Sequence, residues 1–319
     1  MAPEVRARGP WTPGGGLPRV GAMLDAKYAR LRELLGSYGS CLVAYSGGVD
    51  SVFLAKVAFE VLGARSLAAI ADSPSLPRRE LAEALELGQQ FGFPVRVVNT
   101  AEFDNPAYLA NPTNRCYFCK HALFTELEPL ARAEGFAVLA YGENASDVGD
   151  HRPGAKAAAE FAVRAPLKEA GLTKDEIRAL SARLGLPTAD KPQMACLSSR
   201  IPTGESVTPE KLRMIEEAEH YLRGLGYHDV RVRHHQTGTG ALARVELGIE
   251  ELARFFGGHQ HSEVSARLRE IGYLHVTLDL AGYRRGSTNG VAPAAVVSQP
   301  IALRTNAAVR PPQAAMNGQ

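Results

Sequence analysis

Six consecutive residues, Ser46-Gly47-Gly48-Val49-Asp50-Ser51, place two glycines, two hydroxyls and a carboxylate directly after the apolar run Cys41 to Tyr45 and directly before a helical stretch. Adjacent glycines let the backbone approach a phosphate chain, and the N–H groups at a helix start supply donors and positive potential. The segment is therefore expected to hold an anion. It is not a Walker A loop, because the G-x-x-x-x-G-K-[ST] spacing and its lysine are absent. The plain alternative is a strand-turn-helix corner in which the glycines only make the turn.

Sulfur chemistry is the second signal. Cys116 and Cys119 form a C-x-x-C within Asn114 to Lys120, and Cys196 stands in Met194-Ala195-Cys196-Leu197-Ser198-Ser199-Arg200. The thiolate is the nucleophilic form of cysteine, and a nearby cation such as Arg200 favours it. A structural zinc site or a dithiol switch is the competing reading. Zinc would want a fourth ligand, and neither a second C-x-x-C nor an H-x₃₋₅-H stands near these positions. Cys41, inside an apolar run, reads as core.

The elements that must carry these residues follow from hydrophobic pattern. Apolar runs at Cys41 to Tyr45, Ser66 to Ala71, Pro94 to Val98 and Ala137 to Tyr141 alternate with helical stretches at Ser51 to Leu62, Arg78 to Phe91 and His121 to Glu134. That alternation is the signature of an α/β fold, a parallel sheet with flanking helices. Thr173-Lys174-Asp175-Glu176 is a capping box that opens a further helix, which Gly185 stops. A smaller α+β domain is expected after it, opened by Thr208 as N-cap and Pro209 at N1. Its strands are read at Val230 to His234, Leu242 to Leu247 and Leu274 to Leu280, and its later helices at Ile249 to Phe256 and Ser262 to Ile271. The expected division is a first domain over 23–190, a linker carrying Cys196 over 191–206 and a second domain over 207–289. Residues 1–22 and 290–319, rich in Ala, Pro and Gly, are expected to stay outside the folded core.

Composition narrows the function classes. The 319 residues are 45% apolar and 22% charged, and 36 basic against 34 acidic side chains leave a net charge of +2. So even a balance gives no general support for nucleic-acid or membrane-surface binding. No apolar run approaches the roughly 20 residues of a membrane span. The amino-terminal sequence lacks the apolar stretch of a signal peptide, so the expected location is the cytoplasm, with reduced cysteines.

The SGGVDS segment resembles the PP-loop of the ATP pyrophosphatases, which cleave ATP between the α and β phosphates and adenylate a substrate. With the Cys116/Cys119 and Cys196 segments, Tyr141-Gly142-Glu143-Asn144-Ala145-Ser146-Asp147 and its continuation to Gly154, and the closing VTLDLAGYRRGS, the chain from about Asp25 to Asn289 resembles the LarE family. That family comprises ATP-dependent sulfur transferases that help make the nickel-pincer nucleotide cofactor of lactate racemase maturation. The resemblance implies a Rossmann-like PP-loop domain in which Ser46, Gly47, Gly48, Val49, Asp50 and Ser51 grip pyrophosphate. Asp50 would help place Mg²⁺, with Asp72 and Gly142 near the nucleotide. It implies adenylation of the carboxylates of pyridinium-3,5-biscarboxylic acid mononucleotide, then displacement of AMP by sulfur. The sulfur would come either from Cys196 itself, leaving dehydroalanine, or from a sulfide on a [4Fe-4S] cluster held by Cys116, Cys119 and Cys196.

A doubly carboxylated, phosphorylated substrate calls for arginines with bidentate geometry. Arg115, Arg152 and Arg200 are the candidates, with Asp147 and Asp150, and Glu143 and Asn144 near the same cleft. In the second domain Arg231 and Arg233 share one strand face by period two. The resemblance implies that they help bind the substrate's phosphate, at a contact of a homo-oligomer. A charged, solvent-facing edge strand is the alternative. Gln236 to Gly240 lengthens the following hairpin relative to the family pattern, and adjacent His234 and His235 point to opposite faces, so they are not expected to share a metal. The rival functions are a tRNA thiolase, which should be more basic, an amide-forming synthetase of the NAD or GMP type, which needs no catalytic cysteine, and a non-catalytic nucleotide sensor.

Overall fold

Four of the apolar runs form one parallel sheet in a computed structural model of the chain, which describes residues 18–147, 153–192, 195–258 and 260–283. Its strands are β1 (Cys41–Tyr45), β2 (Ser66–Asp72), β3 (Val95–Asn99) and β4 (Val138–Tyr141), in the spatial order β3-β2-β1-β4. The chain runs outward from β1 to β3 and then crosses back to add β4 on the other side of β1. Open α/β sheets bind their ligands at such a reversal, outside the carboxyl ends of the strands. Both the loop after β1 and the loop after β4 open there.

Helix α1 (Pro18–Ser37) precedes β1, and α2 (Val49–Leu62) follows it. Nine residues of α2 are buried, from Val49 to Leu62, so α2 is a core helix, covered in part by Leu31 and Leu35 of α1. Because α1 begins at Pro18, residues 18–22 of the amino-terminal stretch are helical. Helix α3 (Arg78–Phe91) has the bounds read from sequence and ends on Gly92 in the left-handed region, φ 75°.

After the short α4 (Pro106–Leu109), α5 (Arg115–Ala133) starts six residues before the expected His121. Its N-cap, Asn114, makes no side-chain cap, so no local signal announces the start. What holds the first turn is tertiary: Phe118 and Cys119 pack on Tyr108, Leu197 and Ile201. The C-x-x-C therefore lies within the helix, its two sulfurs three residues apart on one face.

Helices α6 (Pro153–Glu160), α7 (Pro166–Glu169) and α8 (Lys174–Arg183) complete this half. The capping box at α8 forms on both sides, Thr173 accepting from the Glu176 N–H and Glu176 from the Thr173 N–H. Lys27 of α1 clamps Glu176 at 2.7 Å. The carboxyl-terminal half is α9 (Pro209–Gly224), β5 (Arg231–Gln236), β6 (Ala241–Glu246), α10 (Ile249–Gly257), α11 (His261–Ile271) and β7 (His275–Leu278). β6 pairs antiparallel with β5 and parallel with β7. Tyr227, Val232, Ala243 and Leu268 form its core. A separate apolar cluster of Tyr108, Leu197, Ile201, Val207, Leu212 and Ile215 joins the halves, so the segment read as a linker is itself packed.

Candidate functional site

Gly47 takes φ +70°, and a Cβ there would lie 2.9 Å from the Cβ of Ala84. Only glycine suits that position. The turn is fixed from within: Ser51 Oγ accepts from the Ser46 N–H and donates to the Gly48 carbonyl, both at 3.1 Å. Gly142, at the end of β4, comes so close that a Cβ would meet the Ser51 nitrogen at 3.1 Å. The loop and the β4 end thus form one continuous floor at the sheet reversal.

Above that floor opens a cleft of about 560 Å³. Ser46, Gly48, Val49, Asp50 and Ser51 line it, with Gly142 and Asp147 from the β4 side and Cys196 across from them. Asp147 is 8% exposed and accepts from the Asn144 N–H at 3.2 Å. Glu143 is buried beside it. Burial raises its pKa, but hydrogen bonds from Lys168 and Tyr141 outweigh that and hold it below the usual value. Asp72 ends β2 but is outside the cleft lining and paired with Arg78. A larger groove of about 780 Å³ at the amino ends of β2 and β3 contains none of the candidate residues.

Two lysines in the site were not read as functional from sequence. Lys174 lines the cleft and binds Asp50 Oδ2 at 2.7 Å. A basic side chain at the first position of a helix opposes the helix dipole, and that misplaced charge was the available signal. Lys120, also in the lining, lies 4.5 Å over the Tyr141 ring.

Cys196 sits at the cleft wall with Arg115 Nη2 donating to its sulfur at 3.7 Å. Arg115 is therefore a cation at this sulfur, while Arg200 donates to the Cys196 backbone carbonyl. Cys116 keeps an exposed side chain, yet surrounding protein pushes its thiol pKa up, and Cys196 is the next cause. Cys119 is pushed up by burial first and by Cys196 second. Among the described residues no three His, Cys, Asp or Glu side chains are grouped to hold a single metal ion. A cubane cluster takes each cysteine on a different iron and leaves its fourth iron open, and three cysteines are the donor set such a cluster uses. Mg²⁺ in nucleotide sites usually takes one or two carboxylates plus phosphate oxygens, and Asp50 fits that pattern.

Three arginines expected to meet substrate are instead turned inward. Arg200 is 0% exposed and forms a two-pronged pair with Glu219 at 2.9 and 3.0 Å. Arg233 pairs with buried Glu246 at 2.8 Å and donates to the Ser199 carbonyl. Arg231 donates to the Val230 carbonyl and stacks 4.9 Å over Tyr283. β5 is an edge strand, but its arginine face is covered, so the solvent-facing alternative does not hold. A buried charge needs a partner, and Glu219 and Glu246 supply it for Arg200 and Arg233. Asp150 and Arg152 lie outside the described residues.

His234 points to the opposite face and is 1% exposed. Neither ring nitrogen has a partner among the described residues. Burial, then Lys211 and His235, lower its pKa to about 4. The unfolded chain, with a histidine pKa of about 6.5, takes up the proton first. Stability is therefore intact above about pH 6.5 and declines as pH falls toward 4. Urea unfolding of wild type should weaken by on the order of 2 kcal/mol across that window, and His234→Leu should flatten the decline. An unchanged slope in the variant would assign the acid lability to other groups.

No protein-family model matches the chain. Among curated proteins it is 47% identical over 269 residues to an uncharacterized protein of Synechocystis sp., covering 84% of this chain and 99% of that protein. It is 30% identical over 212 residues to a glutamine-hydrolysing GMP synthase component from Halorubrum lacusprofundi, covering 61% of this chain and 67% of that component. It is 33% identical over 269 residues to the pyridinium-3,5-bisthiocarboxylic acid mononucleotide synthase of Lactiplantibacillus plantarum, covering 84% of this chain and 95% of that synthase. With a parallel sheet, a glycine loop at its reversal and near full-length similarity to that synthase, the chain belongs to the LarE family.

Proposed function

We propose that the protein is an ATP-dependent sulfur transferase of nickel-pincer nucleotide synthesis. It adenylates the carboxylates of pyridinium-3,5-biscarboxylic acid mononucleotide and converts them into thiocarboxylates. The observation that carries this reading is the shared cleft, with the Ser46–Ser51 loop on one side and Cys196 on the other.

In this reading a substrate carboxylate attacks the α-phosphorus of ATP, and pyrophosphate leaves into the glycine loop, whose N–H groups and helix start favour the anion. Asp50 would hold the Mg²⁺ that accompanies the phosphates, and Lys174 meets the leaving group from α8. A sulfur nucleophile attacks the acyl adenylate, a C–S bond forms and AMP departs. In the sacrificial route the nucleophile is the Cys196 sulfur, to which Arg115 donates. Loss of the Cys196 α-proton then breaks the Cβ–S bond, leaving thiocarboxylate on the product and dehydroalanine in the chain. In the alternative route Cys116, Cys119 and Cys196 would hold a [4Fe-4S] cluster, which when bound would deliver an exogenous sulfide, and residue 196 survives. Arg115 and Asp147 are the described candidates for substrate contact. The same reading places the protein in the cytoplasm, as a homo-oligomer with no nucleic-acid partner.

Peptide mass after one anaerobic turnover tests the two sulfur sources. Loss of one H₂S from the Cys196 peptide, matched to product, supports the sacrificial route. Product formed with that peptide intact supports the cluster. A carboxamide product with ammonia as nucleophile would favour the amide-forming alternative that the GMP synthase similarity keeps open.

A further inference from the structure

The backbone around Cys196 has little regular structure of its own beyond a 3₁₀ turn over Leu197–Arg200. It is gripped from two sides. On the sheet side the Leu197 N–H donates to the Ser75 carbonyl at 2.8 Å. Ser198 Oγ meets Ser75 Oγ at 2.8 Å and Tyr108 OH at 3.0 Å. On the other side, Arg200 Nη1 donates to the carbonyls of Ala195 at 2.6 Å and Cys196 at 2.9 Å. Those carbonyls belong to the peptide units on either side of the Cys196 α-carbon.

Arg200 does not choose that pose alone. Its Nε and Nη2 are taken by the two oxygens of Glu219 on α9. Glu219, 1% exposed, also accepts from Arg223 at 2.9 Å and from the Val232 N–H of β5 at 3.1 Å. A planar guanidinium held at two edges can turn only by breaking both sets of bonds. The line Glu219, Arg200, Cys196 backbone is thus a strut from the carboxyl-terminal domain to the cleft.

We infer that Glu219 is a positioning residue for the sulfur step, fixing through Arg200 where the Cys196 thiol stands relative to the nucleotide loop. This rests on the proposed role of Cys196, and Glu219 acts only on the backbone that carries it. The carboxyl-terminal domain then serves the chemistry by placing the cysteine.

The test uses the full chain, reduced and anaerobic, with Glu219→Gln and Arg200→Lys. Leu268→Ala serves as a control that loosens the same domain's core without touching the cysteine segment. The first readout is the alkylation rate of Cys196 by iodoacetamide relative to Cys116 in the resting protein. Both strut variants should shift that ratio at least about fivefold, and the control should leave it unchanged at a comparable loss of thermal stability. The second readout splits the reaction: thiocarboxylate formation should fall at least about tenfold in Glu219→Gln while substrate-dependent exchange of pyrophosphate into ATP stays within about twofold. An unshifted ratio in the strut variants, or an equal shift in Leu268→Ala, overturns the positioning role. Absence of exchange in wild type would instead count against the sulfur-transfer reading, and the alkylation ratio would still decide the role of Glu219.

Discussion

Cys196→Ala should stop thiocarboxylate formation, a loss of at least about 10³-fold, while substrate-dependent pyrophosphate release continues. The split follows from the architecture of the cleft. The loop Ser46–Ser51 is braced by its own hydroxyls and closely approached by Gly142, and these hydrogen bonds run within the loop. Both sulfur routes need residue 196, one as donor and the other as a cluster ligand, so its loss cuts the second half-reaction under either. Alanine also spares the backbone carbonyls that Arg200 holds, so the segment should keep its place. Quantifying pyrophosphate and thiolated product in the same reaction checks this. Full sulfur transfer by the variant would remove Cys196 from the mechanism.

Asp50→Asn should act on the other half, lowering pyrophosphate release by about 10²- to 10³-fold, the range typical of removing one preorganised electrostatic group. Asp50 lies in the first turn of α2, beside the loop glycines, and is the acidic residue of the loop itself. Asparagine keeps the shape but loses the charge that Lys174 and a divalent cation would share. The relative alkylation of Cys196 should remain at the wild-type value, because the bonds that brace the cysteine segment come from Ser75, Tyr108 and Arg200. Initial rates at saturating ATP and varied Mg²⁺ measure the loss. Wild-type rates in this variant would show that the loop binds nucleotide without needing its carboxylate.

The parts of the molecule that could be read in advance are those governed by neighbours in sequence. β1 and α3 stand at the bounds their patterns indicate, because one is a short apolar run between turn residues and the other a clear amphipathic stretch closed by Gly92. The capping box at Thr173 is likewise a four-residue affair. The start of α5 was hidden because its first turn is stabilised by Leu197 and Ile201, some eighty positions later. The inward turn of Arg200 was hidden for the same kind of reason. An arginine beside a reactive cysteine reads as a substrate or thiolate partner until Glu219, on a different helix, is seen to claim it. Arg231 and Arg233 were correctly placed on one face of a strand, but the period of a strand does not tell which face is covered. Lys174 was visible as part of a cap, and its reach to Asp50 depends on how α8 meets the β4 loop.

One reaction bears on the whole account: reduced, anaerobic protein incubated with ATP, Mg²⁺ and pyridinium-3,5-biscarboxylic acid mononucleotide, followed by mass analysis of all small molecules. The expected result is a thiocarboxylated mononucleotide, with AMP and pyrophosphate formed in equal amounts for each sulfur introduced. Unchanged mononucleotide with ATP intact, or consumed only to ADP, would contradict adenylation and sulfur transfer together.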